Sequence, residues 1–201
     1  MEVRKKIVIF DFDGTLTTRD TLLLFIRFAC GRWAFLWGML CYAPLLVLMK
    51  LRLYHNGKTK QKVFSHFFRG WTLERFSQCG REFASQYPHI LRADTVEALR
   101  QAQQDGARVF IVSASIDHWV QPFFPDVEVV GTQIEVQDGV LTGRFLTPNC
   151  YGSEKVRRVT DLIGDRTPYY ICAYGDSRGD RELLAWADKG IKVKSKKINR
   201  K

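Results

Sequence analysis

The chain has no C-x-x-C pair, and its five cysteines (Cys30, Cys41, Cys79, Cys150 and Cys172) form an odd, scattered set. That excludes a disulfide framework and a zinc knuckle, and it fits a reducing compartment. Internal repeats and low-complexity stretches are absent, which excludes solenoid and fibrous architectures. No signal peptide is expected, because Met1 to Lys6 is charged and the apolar run after it has only strand length. The expected location is the cytoplasm. The four histidines (His55, His66, His89 and His118) form no ligand cluster. What is present is the composition of a globular protein. Its 201 residues, 46% hydrophobic and 26% charged, allow one well-buried core and a modest insertion.

The net charge of +10 is concentrated at the end, where Lys189, Lys192, Lys194, Lys196, Lys197, Arg200 and Lys201 crowd together. Such a run is either a solvated tail or an attraction to an anionic surface. It carries no interleaved aromatics for base stacking, so no nucleic-acid partner is expected.

Apolar patterning divides the chain. Lys6 to Asp11 (KIVIFD), Arg108 to Ser113 (RVFIVS), Asp126 to Gly131, Tyr169 to Tyr174 and Ile191 to Val193 read as short buried strands. Ala93 to Gln104, Ser153 to Ile163 (with Ser153 as N-cap) and Arg178 to Ala187 read as helices. Ile134 to Val136 and Val140 to Phe145 flank Asp138-Gly139, which predicts a tight hairpin. From Thr21 to about Ser85 the spacing is helical, with breaks near Gly31, Asn56-Gly57 and Gly70, and with the aromatics of Phe64 to Trp71 on its interior. Strands alternating with helices imply an α/β fold: a Rossmann-like, doubly wound parallel sheet with a helical insertion after the first strand. The expected division is residues 1–19 and 87–201 for the core and 20–86 for the cap.

In such sheets ligands bind beyond the carboxyl ends of the strands. Asp11, Ser113 and Gly175-Asp176 stand at three of those ends. Two carboxylates one residue apart, Asp11 and Asp13, are costly to bury unpaired, and a hard divalent cation relieves that cost. Asp11 can then attack phosphorus, and Asp13 can protonate the leaving alcohol and later activate water. An EF-hand reading of this segment fails, because Thr15 and Leu16 stand where an acid or amide and a glycine are required. Ser113 can donate to a phosphoryl oxygen, Lys155 can neutralise phosphoryl charge, Asp176 can complete the metal shell and Asp180 can support it. Gly175-Asp176-Ser177-Arg178-Gly179 also matches the serine-hydrolase elbow, but that fold places its histidine after the serine, and all four histidines precede Ser177. Asn56-Gly57-Lys58-Thr59 looks like the end of a P-loop, yet Arg52 stands where its first glycine belongs and no strand precedes it.

These four elements, in this order, resemble the four motifs of the haloacid dehalogenase-like (HAD) hydrolase superfamily. The resemblance implies a phosphoric monoester hydrolase with Mg2+ as cofactor, Asp11 as nucleophile and Asp13 as acid/base. It implies phosphate contacts at Ser113 and Lys155, and metal contacts at Asp11, Asp176, Asp180 and, through its backbone carbonyl, Asp13. A helical cap after the first motif is similar to subfamily IB, which includes phosphoserine phosphatase and the bacterial phosphatidylglycerophosphatase C, whose cap is similarly apolar. Departures exist: Ser113-Ala114-Ser115 replaces Ser-Gly-Gly, Gly179 replaces an asparagine, and Asp20 fits a helix N-cap better than a substrate contact.

Trp33 to Met49 contains no charged residue and approaches the length of a membrane span. A single crossing would split the motifs between two compartments, so two readings stay open. The run is a buried cap helix bent near Pro44 and packed on other helices or a dimer partner, or it dips into one leaflet beside Arg27, Arg32, Lys50 and Arg52. The expected partners are therefore a phosphorylated small molecule or, with an anionic membrane surface, a lipid phosphate. The second case would hold the protein peripherally at the inner face of the membrane.

Overall fold

The computed structural model describes residues 4–51, 53 and 56–194. Strand β1 (Lys5–Phe10) forms where Ile7, Val8, Ile9 and Phe10 are all buried, as a central strand covered on both faces requires. It pairs in parallel with β2 (Arg108–Ile116) on one side and with β6 (Tyr169–Gly175) on the other. Strands β3 (Glu128–Thr132) and β7 (Lys189–Lys192) extend the edges, giving the parallel order β3-β2-β1-β6-β7. The α/β, doubly wound fold expected from the sequence is therefore present.

The core lies on both faces of this sheet. Ile7 and Ile9 pack with Val159 and Ile163 of α7 (Ser153–Ile163) and Leu183 of α8 (Arg181–Trp186). Val8 and Phe10 point the other way, toward Val96 and Leu99 of α5 (Ala93–Gln104) and the short helix α6 (Asp117–Val120) with its buried Trp119. Among the described residues between β1 and α5 lie the α-helices α1 (Thr21–Cys30), α2 (Arg32–Lys50), α3 (Asn56–Phe68) and α4 (Leu73–Gln86). Phe25, Phe64, Phe68, Phe76 and Phe83 fill their interior, and Phe25 stacks on Trp119 at 4.7 Å. The hairpin of β4 (Ile134–Gln137) and β5 (Val140–Phe145) turns through Asp138 and Gly139, both at positive φ, the geometry of a tight two-residue turn. It bridges to Thr72 between α3 and α4.

Several boundaries differ from the sequence reading. The third strand begins at Glu128 instead of Asp126, and the last is Lys189–Lys192 instead of Ile191 to Val193. Arg178 opens a 3-10 turn before α8, because Ser177 and Asp180 cap each other there. Gly152 at φ 63°, not Ser153, caps α7. The basic residues Lys196, Lys197, Arg200 and Lys201 lie outside the described residues, as do Arg52 and His55.

Helix α2 departs most from expectation. It runs unbroken through Pro44, and among the described residues only one of its faces is packed against the rest of the chain. Phe35, Met39, Tyr42 and Leu46 face inward at helical spacing, and Gly38 lets the Phe67 ring approach so closely that a Cβ would meet it at 2.2 Å. On the opposite face Trp33 is 80% exposed, and Trp37 and Leu40 are each 66% exposed.

Candidate active site

Asp11 follows the last residue of β1, and its backbone N–H still donates to the Tyr174 carbonyl of β6 at 2.9 Å. The central strand therefore aims it. The chain then turns through Gly14 at φ 79°, where a Cβ would stand 2.3 Å from Asp176 Oδ2. Only glycine lets this loop and the loop after β6 come together. Gly152 N–H donates to the Gly179 carbonyl at 2.9 Å, which ties the start of α7 to the same loop.

The outcome is a compact charge cluster. Lys155, 1% exposed, donates to Asp11 Oδ1 at 2.5 Å and to Asp180 Oδ1 at 2.6 Å. Asp180 Oδ2 accepts from Ser177 N at 3.0 Å and Ser177 Oγ at 2.8 Å. The hydroxyl of Ser177 is thus a capping group, and among the described residues no histidine is hydrogen-bonded to it. Asp11, Asp176 and Asp180 each offer a carboxylate oxygen, all within 4.8 Å of one another. Asp176 Oδ1 is buried and meets no donor. An orphaned buried acceptor costs ~1–3 kcal/mol. A hard cation taking oxygen ligands fits this donor set and would relieve that cost.

Asp13 stands apart from the carboxylate cluster. Its Oδ1 accepts from Thr21 N at 2.8 Å and Thr21 Oγ1 at 2.6 Å, and its Oδ2 is bonded by Ser115 Oγ. Trp119 Nε1 in turn holds Thr21 Oγ1 at 3.2 Å. Ser113 is 1% exposed, and its Oγ accepts from Ser115 N at 3.0 Å. The ladder between β2 and β3 shifts register between Val112 and Ile116, which re-aims these two serines at the strand end.

Burial pushes the Asp11 carboxyl up to about 7; the Lys155 charge opposes this and Asp180 adds to it. Burial, with help from the Asp20 charge, also raises Asp13, against the hydrogen bonds from Ser115 and Thr21. Asp176 is raised by burial and by Asp180. Burial works against the charge of Lys155, but Asp11 and Asp180 outweigh it and hold the ammonium well above its ordinary value.

A cavity of about 390 Å³ opens over these groups. Asp11, Asp13, Ser113, Lys155, Asp176 and Asp180 all line it, so every site residue expected from the sequence reaches one place. Its opposite wall comes from the cap helices: Leu22 and Leu23 of α1, Leu46 and Met49 of α2, Val63 of α3. Asp20 lines the cavity as well, and it caps α1 by accepting from Leu22 N at 3.0 Å. Lys60, on α3, escaped the sequence reading. It is 9% exposed, enters the cavity and donates to the Ala114 carbonyl at 2.5 Å. Its sequence signal was a lysine on the same helical face as Val63, Phe64 and Phe67. Thr21 and Ser115, the clamp on Asp13, gave none.

Residues 8–185 match the haloacid dehalogenase-like hydrolase family model. Protein CicA of Caulobacter vibrioides is 36% identical over 194 residues, covering 93% of this chain and 86% of CicA. A Bordetella pertussis protein of known structure superposes with a TM-score of 0.77 at 18% identity, over 90% of this chain and 86% of that one. A phospho-aspartyl intermediate analogue of phosphoserine phosphatase superposes with a TM-score of 0.61 at 20% identity, over 95% of this chain and 86% of that one. The chain belongs to the haloacid dehalogenase-like hydrolase family. Its fold is similar to that of the phosphoserine phosphatases of known structure.

Proposed function

We propose that the protein is a magnesium-dependent phosphatase that hydrolyses a phosphomonoester through an aspartyl-phosphate on Asp11. The reading rests above all on one observation: Asp11, Asp176 and Asp180 converge within 4.8 Å around an orphaned carboxylate oxygen. Bound magnesium would be held by Asp11, Asp176, Asp180 and the Asp13 carbonyl, and would supply neutralisation of phosphoryl charge.

Asp11 attacks phosphorus, forming the acyl-phosphate bond as the ester P–O bond breaks. Asp13 gives its proton to the departing alkoxide, a role that the upward push of burial on its carboxyl favours. In the second half Asp13 takes a proton from water, whose oxygen attacks phosphorus and releases Asp11 and inorganic phosphate. Lys155 and the Ser113 hydroxyl face the transferring group and stabilise its charge. Lys60 would meet a second anionic group on the substrate. A lipid phosphate is the second reading, and the apolar wall of Leu22, Leu23, Leu46 and Met49 favours it.

The test is turnover of para-nitrophenyl phosphate and a panel of phosphorylated metabolites, with magnesium and with chelator. Asp11→Asn is expected to lower kcat by at least about 10³-fold. Persistent turnover in that variant, or wild-type turnover unaffected by chelator, overturns the reading.

A further inference from the structure

Helix α2 is apolar all round, and such a helix is stable only when both faces leave water. The protein covers one. The other, formed by Trp33, Trp37, Leu40, Pro44, Val47 and Leu51, recurs at three- and four-residue spacing and is exposed along the whole helix. A contiguous apolar stripe of this length marks an interaction surface.

Charge narrows the occupant. Between Asp20 and Glu74 the sequence has no acidic residue, while Arg27, Arg32, Lys50, Arg52, Lys58, Lys60, Lys62 and Arg69 are cations. Arg27, Arg32, Lys58, Lys62 and Arg69 are exposed, and the Arg32 guanidinium lies over the Trp33 ring at 5.7 Å. A second copy of this chain would set like charge against like charge. An anionic lipid surface supplies what both features need, hydrocarbon for the stripe and negative charge for its flanks. Tryptophan and arginine are also the side chains that settle at a headgroup boundary.

The helix does not cross. Strands β1 and β2, which precede and follow it in sequence, are hydrogen-bonded neighbours, and among the described residues α2 alone is long and apolar enough to cross, so a single crossing would pull those strands apart. Its inner residues Leu46 and Met49 line the active-site cavity, and so does Leu23 of α1, which is 41% exposed. The same helix that carries the outer stripe therefore forms the apolar wall of the site.

We propose that α2 lies in the interface of an anionic membrane and holds the cavity against it, so that the substrate is a phosphomonoester with an apolar tail reaching along Leu23, Leu46 and Met49. The substrate part rests on the phosphatase reading above; the docking part does not.

The experiment mixes the full-length protein with vesicles of phosphatidylcholine alone or containing phosphatidylglycerol, and reads co-sedimentation and tryptophan emission. The expected result is pelleting and a blue shift with the anionic vesicles, weakened by added salt. The W33E/W37E double variant should lose about tenfold in partitioning, keep its magnesium-dependent turnover of para-nitrophenyl phosphate, and lose turnover of phosphatidic acid presented in vesicles. Wild-type protein that stays in the supernatant with anionic vesicles overturns docking, whatever its activity. So does a dimer in light scattering that W33E/W37E dissolves, because the stripe is then covered by a second copy. Vesicle binding without any phosphatase activity would instead leave docking intact and overturn the reaction.

Discussion

The carboxyl end of the sheet and the outer face of α2 solve opposite problems. At the sheet end, charged groups are buried and hold one another: Lys155 is pinned between Asp11 and Asp180, and Asp180 is capped by Ser177. On α2, apolar groups such as Trp37 and Leu40 stand exposed to water. Each arrangement costs stability in isolation, because an ion pair must be desolvated and an apolar stripe must be hydrated. A protein keeps such features where a ligand completes them. On the readings proposed above, a cation at Asp176 and a membrane over Trp37 would each complete one of them.

The two regions should differ most at Lys155. Removing a buried charge leaves its partners uncompensated, at a cost of ~3–5 kcal/mol. Lys155→Ala leaves Asp11 and Asp180 facing each other, so a large fall in thermal midpoint is expected together with loss of turnover. Calorimetry with magnesium should show part of the midpoint recovered, because a cation replaces the missing charge. On α2 the stability of Trp37→Glu should stay within ~0.5 kcal/mol of wild type, as for other surface changes. Equal effects of the two substitutions would erase the distinction between the regions.

A smaller effect separates the regions by pH. The folded carboxyl of Asp11 is raised to about 7 from an ordinary 3.8. The folded state therefore binds this proton more tightly than the unfolded chain does. Its contribution to stability is fully present below about pH 4 and is lost as pH rises through 7. Magnesium must displace the same proton, so its affinity should climb through the mildly acidic range and level off above neutrality. The midpoint gain from magnesium is expected to be small at pH 5.5 and full at pH 7.5, read by differential scanning fluorimetry. A gain independent of pH across that interval would mean that Asp11 is not a ligand.

Legibility in the sequence followed the same division. The strands announced themselves because a central parallel strand must be apolar on both faces, as Ile7 to Phe10 are. Asp11, Ser113 and Asp176 were readable because each interrupts or ends such a run, where a polar group needs a purpose. Lys155 was readable only through its motif, since a lysine in the first turn of a helix looks like surface. Three features did not show. The clamp of Thr21 and Ser115 on Asp13 joins residues 94 positions apart, and no local pattern encodes that pairing. The cap of α7 fell to Gly152 because the chain turns there at positive φ, which Ser153 cannot do cheaply. The orientation of α2 was hidden because a helix apolar on every side gives no amphipathic signal to say which side packs.

Lys60 sits where the two regions meet, and it sharpens the comparison with the smallest effect. It rises from the cap helix α3 into the cavity, bonded to the Ala114 carbonyl between the two serines of β2. Burial lowers its tendency to carry charge, while Asp13 and Asp20 favour the charged form. An ammonium so placed is incompletely matched until an anion enters, and a substrate with a second negative group next to its phosphate supplies one. Lys60→Met keeps the length and the apolar stem and removes only the charge. It should leave kcat on para-nitrophenyl phosphate near wild type, since that substrate has no second anion. For a substrate with one, a lost hydrogen bond to a charged group is worth ~1.5–3 kcal/mol, or about tenfold or more in KM with kcat little changed. A fall in kcat on both substrates would assign Lys60 instead to holding the β2 loop through Ala114, and the cap would then contribute shape to the site but no charge.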